Sequence, residues 1–271
     1  MTNQAPIWWV VTDLDGTLMD HRYDWSPAES TIRWLQSLGV PVIPCTSKTA
    51  EEVRSFRRDV DLHDPFIVEN GGAVHGETSM GEEWQLSLGP GWRELRPQLK
   101  RLERDLGEPL RALDDLSDQE GDALLGLRGE SLRLAQGRSC SVPFVAPSPP
   151  ARERLVALAE ARQLTVVQGN RLSHLLGGGI SKGQALRALK DHQGMPHARV
   201  LALGDSPNDL PLLEVADLAV VVPGANGPHP ALQQGISAGQ FDCARAPHGE
   251  GWAEAVRRLL EPRLTPVPLT G

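Results

Sequence analysis

Residues 7–17 read Ile7-Trp8-Trp9-Val10-Val11-Thr12-Asp13-Leu14-Asp15-Gly16-Thr17. A short apolar run that ends abruptly in acidic and glycine residues predicts a strand over Ile7–Thr12, buried on both faces, with a turn at its carboxyl end. Outward from it, Ser26-Pro27-Ala28-Glu29 has the spacing of a capping box with proline at the first helical position. It predicts a helix to Leu38 that stops at Gly39. Val40–Cys45 predicts a second strand, and Thr49-Ala50-Glu51-Glu52 a second capping box for a helix through Arg58. Phe66–Glu69 predicts a third strand, closing on Asn70-Gly71-Gly72. Strands alternating with helices predict a parallel sheet with right-handed crossovers. Strands at 199–203 and 218–222, a helix from Pro207 to Val215 and a helix from Gly251 to Leu260 continue the pattern.

The middle of the chain breaks the alternation. Helices are predicted near 91–106, 118–125 and 151–162, and apolar runs at 140–145, 164–168 and 172–176 suit strands, punctuated by Pro147, Pro149 and Pro150. The expected fold is therefore α/β, a Rossmann-like parallel-sheet core with an inserted α+β domain. The core is assigned to residues 1–82 and 176–271 and the insertion to 83–175.

Composition narrows the function. The 271 residues carry 40% hydrophobic side chains, enough for a sizeable core, and a formal net charge of −8. Cations alternate with acids, as in Arg93, Glu94, Arg96, Lys100, Arg101 and Glu103, which describes a solvated helix face. With no basic stripe, a nucleic-acid partner is not expected. Cys45, Cys140 and Cys243 are odd in number and far apart, so they support neither a disulfide framework nor a zinc site. Reduced cytoplasm is the expected compartment. No secretory leader and no apolar run of membrane-spanning length is read, so no membrane partner is expected.

Four stretches carry chemistry. Asp13 and Asp15 stand at i and i+2 beyond a strand's carboxyl end, where open α/β sheets bind ligands. One carboxylate can attack phosphorus while the other exchanges a proton with the leaving oxygen. Gly204-Asp205-Ser206-Pro207-Asn208-Asp209 follows the apolar run Val200–Leu203. Its carboxylates suit a hard cation, and Ser206 or Asp205 also suits a helix cap. The expected metal is Mg²⁺, with Asp13, Asp15, Asp205 and Asp209 as candidate ligands. Thr46-Ser47-Lys48-Thr49 offers hydroxyls and backbone N–H groups for an anion, or equally a plain helix cap. Gly177-Gly178-Gly179-Ile180-Ser181-Lys182-Gly183 offers close backbone approach and a point charge, or alternatively a hinge with a surface lysine. It lacks the spacing of a Walker loop, and no dinucleotide fingerprint follows the first strand. Together these residues suit phosphoryl transfer, with Asp13 as nucleophile, Asp15 as acid and base, and Thr46 and Lys182 on the phosphate oxygens. The expected partner is a small phosphorylated metabolite.

The order Asp-x-Asp-Gly-Thr, Thr46, Lys182, Gly-Asp-x-x-Asn-Asp resembles the haloacid dehalogenase-like phosphatases with a large α+β cap. Within them the chain is most similar to the mannosyl-3-phosphoglycerate phosphatase family. The similar stretches are Pro44–Thr49, Phe66–Gly72, Gly169-Asn170-Arg171-Leu172-Ser173-His174, Leu203–Leu213 and Gly249-Glu250-Gly251-Trp252. The resemblance implies a sugar–glycerate phosphate as substrate and a place in the making of a compatible solute. It also implies that Glu69 and Asn70 lie beside the reacting phosphate, and that Arg171 and His174 face it from the cap border. An isolated histidine in an apolar strand is equally a core residue. Arg138 resembles a cap arginine of the family and suits a carboxylate, but Ser139-Cys140-Ser141 follow it where the family tends to carry acids. The sugar is therefore left open. A glucosyl-3-phosphoglycerate or sucrose-phosphate type of substrate, a mutase, and a non-catalytic metabolite-binding protein remain alternatives.

Overall fold

The computed structural model of the chain describes residues 7–169 and 171–264. In chain order the strands and helices begin with β1 (Trp8–Thr12), α1 (Glu29–Ser37), β2 (Val42–Pro44), α2 (Ala50–Val60), β3 (Phe66–Val68), β4 (Ala73–Glu77) and β5 (Glu83–Ser87). Next come α3 (Trp92–Leu106), α4 (Asp118–Leu125), α5 (Gly129–Gln136), β6 (Val142–Phe144), α6 (Pro149–Glu160), β7 (Leu164–Gln168), β8 (Ser173–Gly177) and α7 (Lys182–His192). The chain continues through β9 (Arg199–Gly204), α8 (Leu210–Leu213), β10 (Leu218–Val221), α9 (Gln233–Ser237), β11 (Asp242–Cys243) and α10 (His248–Leu264). The described residues cluster into two compact units, one built from the chain up to Ile43 and from His197 onward, the other Pro44–Pro196.

The first unit is organised by a five-stranded sheet in the order β11-β10-β9-β1-β2. The pairs β1–β9, β9–β10 and β10–β11 are parallel. Every residue of β1 is buried, as a central strand covered on both faces requires. Thr12 lies opposite Leu203, and Gly204 opposite Val221, so β1, β9 and β10 release their following turns at one level. That register brings two acidic segments together that lie about 190 positions apart in the chain. Helix α10 packs on α1 and buries Trp252, Val256 and Leu260, one face at i, i+4 and i+8.

Two local expectations change in this unit. Ser26–Ala28 forms a single 3-10 turn, and α1 starts at Glu29 without a side-chain cap. The Asp24 carboxylate accepts from the Ser26 N–H instead, an Asx turn that displaces the expected capping box. The helix expected over Pro207–Val215 is a 3-10 turn at Pro207–Asp209 followed by the short α8.

The second unit carries two antiparallel three-stranded sheets, β3-β4-β5 and β6-β8-β7. Strand β3, expected to extend the parallel sheet, instead pairs antiparallel with β4 through Phe66 opposite His75. Its parallel partner is a single bridge from Ile67 to Cys45. The reversal follows from the turn: Glu69, Asn70 and Gly71 have φ of 49°, 58° and 98°, three left-handed residues in succession. Leu95, Leu99, Leu102 and Leu106 form one stripe of α3 and share a core with Val142, Phe144, Leu155, Leu164 and Leu175. Helix α7, not expected from the sequence, opens at Lys182 with Ser181 as its cap, the Ser181 hydroxyl accepting from Gln184 N–H. No described helix is long and apolar enough to cross a membrane.

Candidate active site

In the first unit, Asp13 leaves β1 with its N–H bonded to Leu203 O at 2.9 Å, one last rung of the β1–β9 ladder. The chain then winds back on itself: Met19 N–H bonds Leu14 O at 2.8 Å and Gly16 N–H bonds Met19 O at 2.9 Å. Gly16 has φ +91°, and a Cβ there would stand 2.5 Å from Asp205 Oδ2, so both conformation and space demand glycine. Thr17 Oγ1 donates to Asp205 Oδ1 at 3.0 Å and ties the two turns together.

Asp13, Asp205 and Asp209 each offer one carboxylate oxygen, and the three oxygens lie within 4.8 Å of one another. Asp13 and Asp209 are buried. Three hard, anionic oxygen donors at this spacing repel one another, and a small divalent cation would relieve that repulsion; the donor set fits Mg²⁺. Asp15, the fourth ligand expected from the sequence, is outside this trio, and its backbone bridges to Met19. Asp209 has a second task. Its Oδ2 accepts from the N–H groups of Asp205 and Ser206, both at 3.0 Å, and so shapes the turn that presents Asp205. Ser206 is the N-cap of the Pro207–Asp209 turn, one of the two caps expected, and Asp209 completes the capping box from the third position.

In the second unit, Thr46, Ser47 and Lys48 follow β2 and are laced to the β3–β4 turn. Thr46 N–H bonds Ile67 O, Asn70 N–H bonds Thr46 O at 3.0 Å, and Glu69 N–H bonds Lys48 O at 2.9 Å. Thr46, Glu69, Asn70 and Lys182 are all buried. Both Glu69 oxygens are engaged: Oε1 accepts from Ser139 N–H at 2.8 Å, and Oε2 from Cys140 N–H at 3.1 Å and Ser141 Oγ at 2.6 Å. This carboxylate fastens the β3–β4 turn to the segment entering β6. Arg138 donates to Ser47 O at 2.5 Å and to Ala135 O at 2.6 Å, and lies 3.9 Å from Glu52. Glu52 was not among the sequence candidates, yet it holds Lys48 at 3.7 Å, Arg138, and the N–H and hydroxyl of Thr49. The capping-box spacing was its one visible signal. Arg171 is exposed and donates to Leu125 O, satisfying the last carbonyl of α4. Asn170 lies outside the described residues.

His174 is buried on β8, and among the described residues its Nδ1 has no hydrogen-bond partner. Burial, reinforced by the positive charges of Arg138 and Lys182, pushes its pKa from 6.5 down to about 3. His75, buried against Phe66, is likewise pushed down to about 4, chiefly by burial. A depressed folded-state pKa means that the unfolded chain binds the extra proton first, so stability is intact above pH 6.5 and falls as pH drops below it. The thermal midpoint is therefore expected to decline from pH 6.5 toward 4. His174→Asn should make that decline shallower by about one proton in the linkage slope, leaving the share of His75. Thermal unfolding at half-unit pH steps checks this; an unchanged slope would show His174 to be solvated in the folded state.

The profile of the haloacid dehalogenase-like hydrolases matches residues 10–85 and 153–232, more than half of the chain. Two curated relatives align over 266 residues, 93% of this chain and 96% of each of them. One, from Persephonella marina, is 28% identical, and the other, from Methanococcoides burtonii, is 29% identical. Both are named glucosyl-3-phosphoglycerate/mannosyl-3-phosphoglycerate phosphatase. Among solved structures, the sucrose-phosphatase from Synechocystis superposes with a TM-score of 0.62 at 18% identity, covering 93% of this chain and 98% of that one. At that identity the likeness is one of fold, and it matches the α/β class expected from the sequence. With two acidic turns meeting at the carboxyl ends of β1 and β9 and a profile match that includes both, the chain belongs to the haloacid dehalogenase-like hydrolases.

Proposed function

We propose that this hydrolase, a phosphatase, removes phosphate from mannosyl-3-phosphoglycerate in the presence of Mg²⁺, through an aspartyl-phosphate on Asp13. The observation that carries the reading is the clustering of Asp13, Asp205 and Asp209, with one oxygen of each within 4.8 Å of the others, at the end of β1. In this reading an Asp13 oxygen attacks phosphorus in line, the bond to the glycerate oxygen breaks, and Asp15 gives that oxygen its proton. Asp15 then takes a proton from water, whose oxygen attacks the phosphorus of the acyl phosphate; inorganic phosphate leaves and Asp13 is restored. Asp13, Asp205 and Asp209 would hold Mg²⁺, with Asp15 as an additional contributor. The cation, when bound, neutralises charge on the transferring phosphoryl group. Thr46 and Lys182 are assigned to the phosphate oxygens, with Ser47, Lys48 and Asn70 as further contributors; the Asn70 N–H bonds Thr46 O.

Substrate choice is assigned to residues 83–175, acting as a cap on a core of residues 1–82 and 176–271. Arg138, Arg171 and His174 are its proposed contacts to the glycerate and sugar. Glu69, whose oxygens are taken by Ser139, Cys140 and Ser141, serves by holding that segment. A cytoplasmic role in compatible-solute synthesis follows from the product. The names of the two curated relatives favour one rival, glucosyl-3-phosphoglycerate, as a second substrate.

The test is phosphate release with Mg²⁺ from mannosyl- and glucosyl-3-phosphoglycerate, sucrose phosphate, hexose phosphates and 3-phosphoglycerate. The two glycosyl-phosphoglycerates are expected to lead by at least about tenfold in kcat/KM, and EDTA to abolish release. Preference for simple hexose phosphates would overturn the substrate and keep the chemistry. No release from any of them would overturn both.

A further inference from the structure

The segment His248-Gly249-Glu250-Gly251-Trp252 opens α10, far in sequence from the acidic turns, and nothing in the proposed chemistry uses it. Its side chains nonetheless reach the Asp13 turn from both sides. His248 Nδ1 lies 2.9 Å from Gly16 O. A carbonyl can only accept, so Nδ1 carries the hydrogen and donates it. Four residues on, one helical turn further, Trp252 Nε1 donates to Thr12 Oγ1 at 2.9 Å, and that hydroxyl donates to Asp13 O at 2.7 Å. Thr12 and Gly16 are the residues that flank Asp13-Leu14-Asp15. Between the two anchors, Gly249 lies so close to the turn that a Cβ would be 2.9 Å from Leu18 O.

The geometry has a local cost. His248 has φ 51°, a left-handed conformation that a non-glycine residue holds only when its surroundings enforce it. Trp252 is fully buried, as its indole N–H bond to a buried threonine requires. Helix capping alone explains neither: a cap would direct the side chain to backbone N–H groups of its own helix, whereas this ring bonds a carbonyl 232 residues away.

We infer that the first turn of α10 positions the catalytic turn: His248 and Trp252 grip Gly16 and Thr12, and so fix the orientation of the carboxylates of Asp13 and Asp15 between them. This rests on the phosphatase reading above. Both are positioning residues, acting through backbone and a threonine hydroxyl without touching substrate. A rigid support of this kind matters because a displacement of about 1 Å at a reacting group costs on the order of 100-fold in rate.

The experiment compares His248→Ala, His248→Asn, His248→Gln and Trp252→Phe, each assayed about 15 °C below its own melting midpoint with mannosyl-3-phosphoglycerate and with p-nitrophenyl phosphate. Asparagine places an amide N–H where Nδ1 stands and tolerates left-handed backbone; glutamine places it one bond further out. His248→Ala and His248→Gln are expected to lose roughly 10–100-fold in kcat with KM within about twofold, and His248→Asn to recover to within about threefold of the parent. Trp252→Phe, which keeps an aromatic ring but drops the N–H along with part of the buried volume, should lose roughly 3–10-fold. Amide exchange across residues 13–18 should accelerate in the impaired variants. A kcat for His248→Ala within twofold of the parent, or equal impairment of the Asn and Gln variants, would overturn the inference. Asp13→Asn serves as control. If it keeps turnover, the phosphatase reading falls on its own, and exchange over residues 13–18 alone then decides the clamp, unchanged exchange overturning it.

Discussion

Asp13→Asn is expected to cut phosphate release by at least about 10³-fold while the fold persists, because an amide oxygen is a poor nucleophile of nearly the same shape. The variant should not be destabilised in the absence of Mg²⁺. Three carboxylate oxygens within 4.8 Å repel one another, and making one neutral removes part of that repulsion. The same change removes one of the oxygens proposed to hold the cation. Mg²⁺ should therefore raise the thermal midpoint of the parent more than that of the variant. Phosphate release and melting curves with and without Mg²⁺ check both arms. Residual activity above about 1% of the parent would contradict a nucleophilic role, since removal of a nucleophile costs several orders of magnitude. Equal Mg²⁺ shifts would contradict its part in the metal site.

Glu69→Ala is expected to have the largest effect on stability. The change strands three donors, Ser139 N–H, Cys140 N–H and the Ser141 hydroxyl, of which Ser141 and Cys140 are buried. It also keeps the cost of the left-handed backbone at this position while removing the bonds that enforce it. Loss of a buried, multiply bonded carboxylate is worth about 3–5 kcal/mol, which for a chain of this size lowers the melting midpoint by roughly 10 °C. Glu69→Gln is the sharper variant, because it retains the shape and replaces one acceptor by a donor facing donors. If Glu69 served the substrate instead, as the family resemblance implies, Glu69→Gln would raise KM and leave the midpoint in place. Calorimetry beside steady-state kinetics separates the two.

The legible part of the chain is the part where chemistry and secondary structure are local. The apolar run before Asp13, the run before Gly204-Asp205, and the Thr49-Ala50-Glu51-Glu52 box each announce themselves within a few residues, because buried parallel strands and helix caps depend on near neighbours. Sequence alone thereby determined the fold class, the family resemblance and the acidic pair of motifs. What it could not show is decided by partners distant in the chain. The alternation of strands with helices predicts a parallel β3, whose apolar residues suit either pairing; the left-handed Glu69-Asn70-Gly71 turn sends it antiparallel into β4. Asp15 and Asp13 are indistinguishable as ligands in the motif, and the β1–β9 register places Asp13, not Asp15, in the trio with Asp205 and Asp209. Glu69 was read toward a substrate, yet three donors some 70 positions away claim it. His248 carried no signal at all, since a histidine at a helix start is unremarkable until the helix is packed against Gly16. Local pattern determined which elements and which acidic motifs the chain carries; hydrogen bonds and register across long sequence separations, which only burial in a folded core makes favourable, decided where their side chains point.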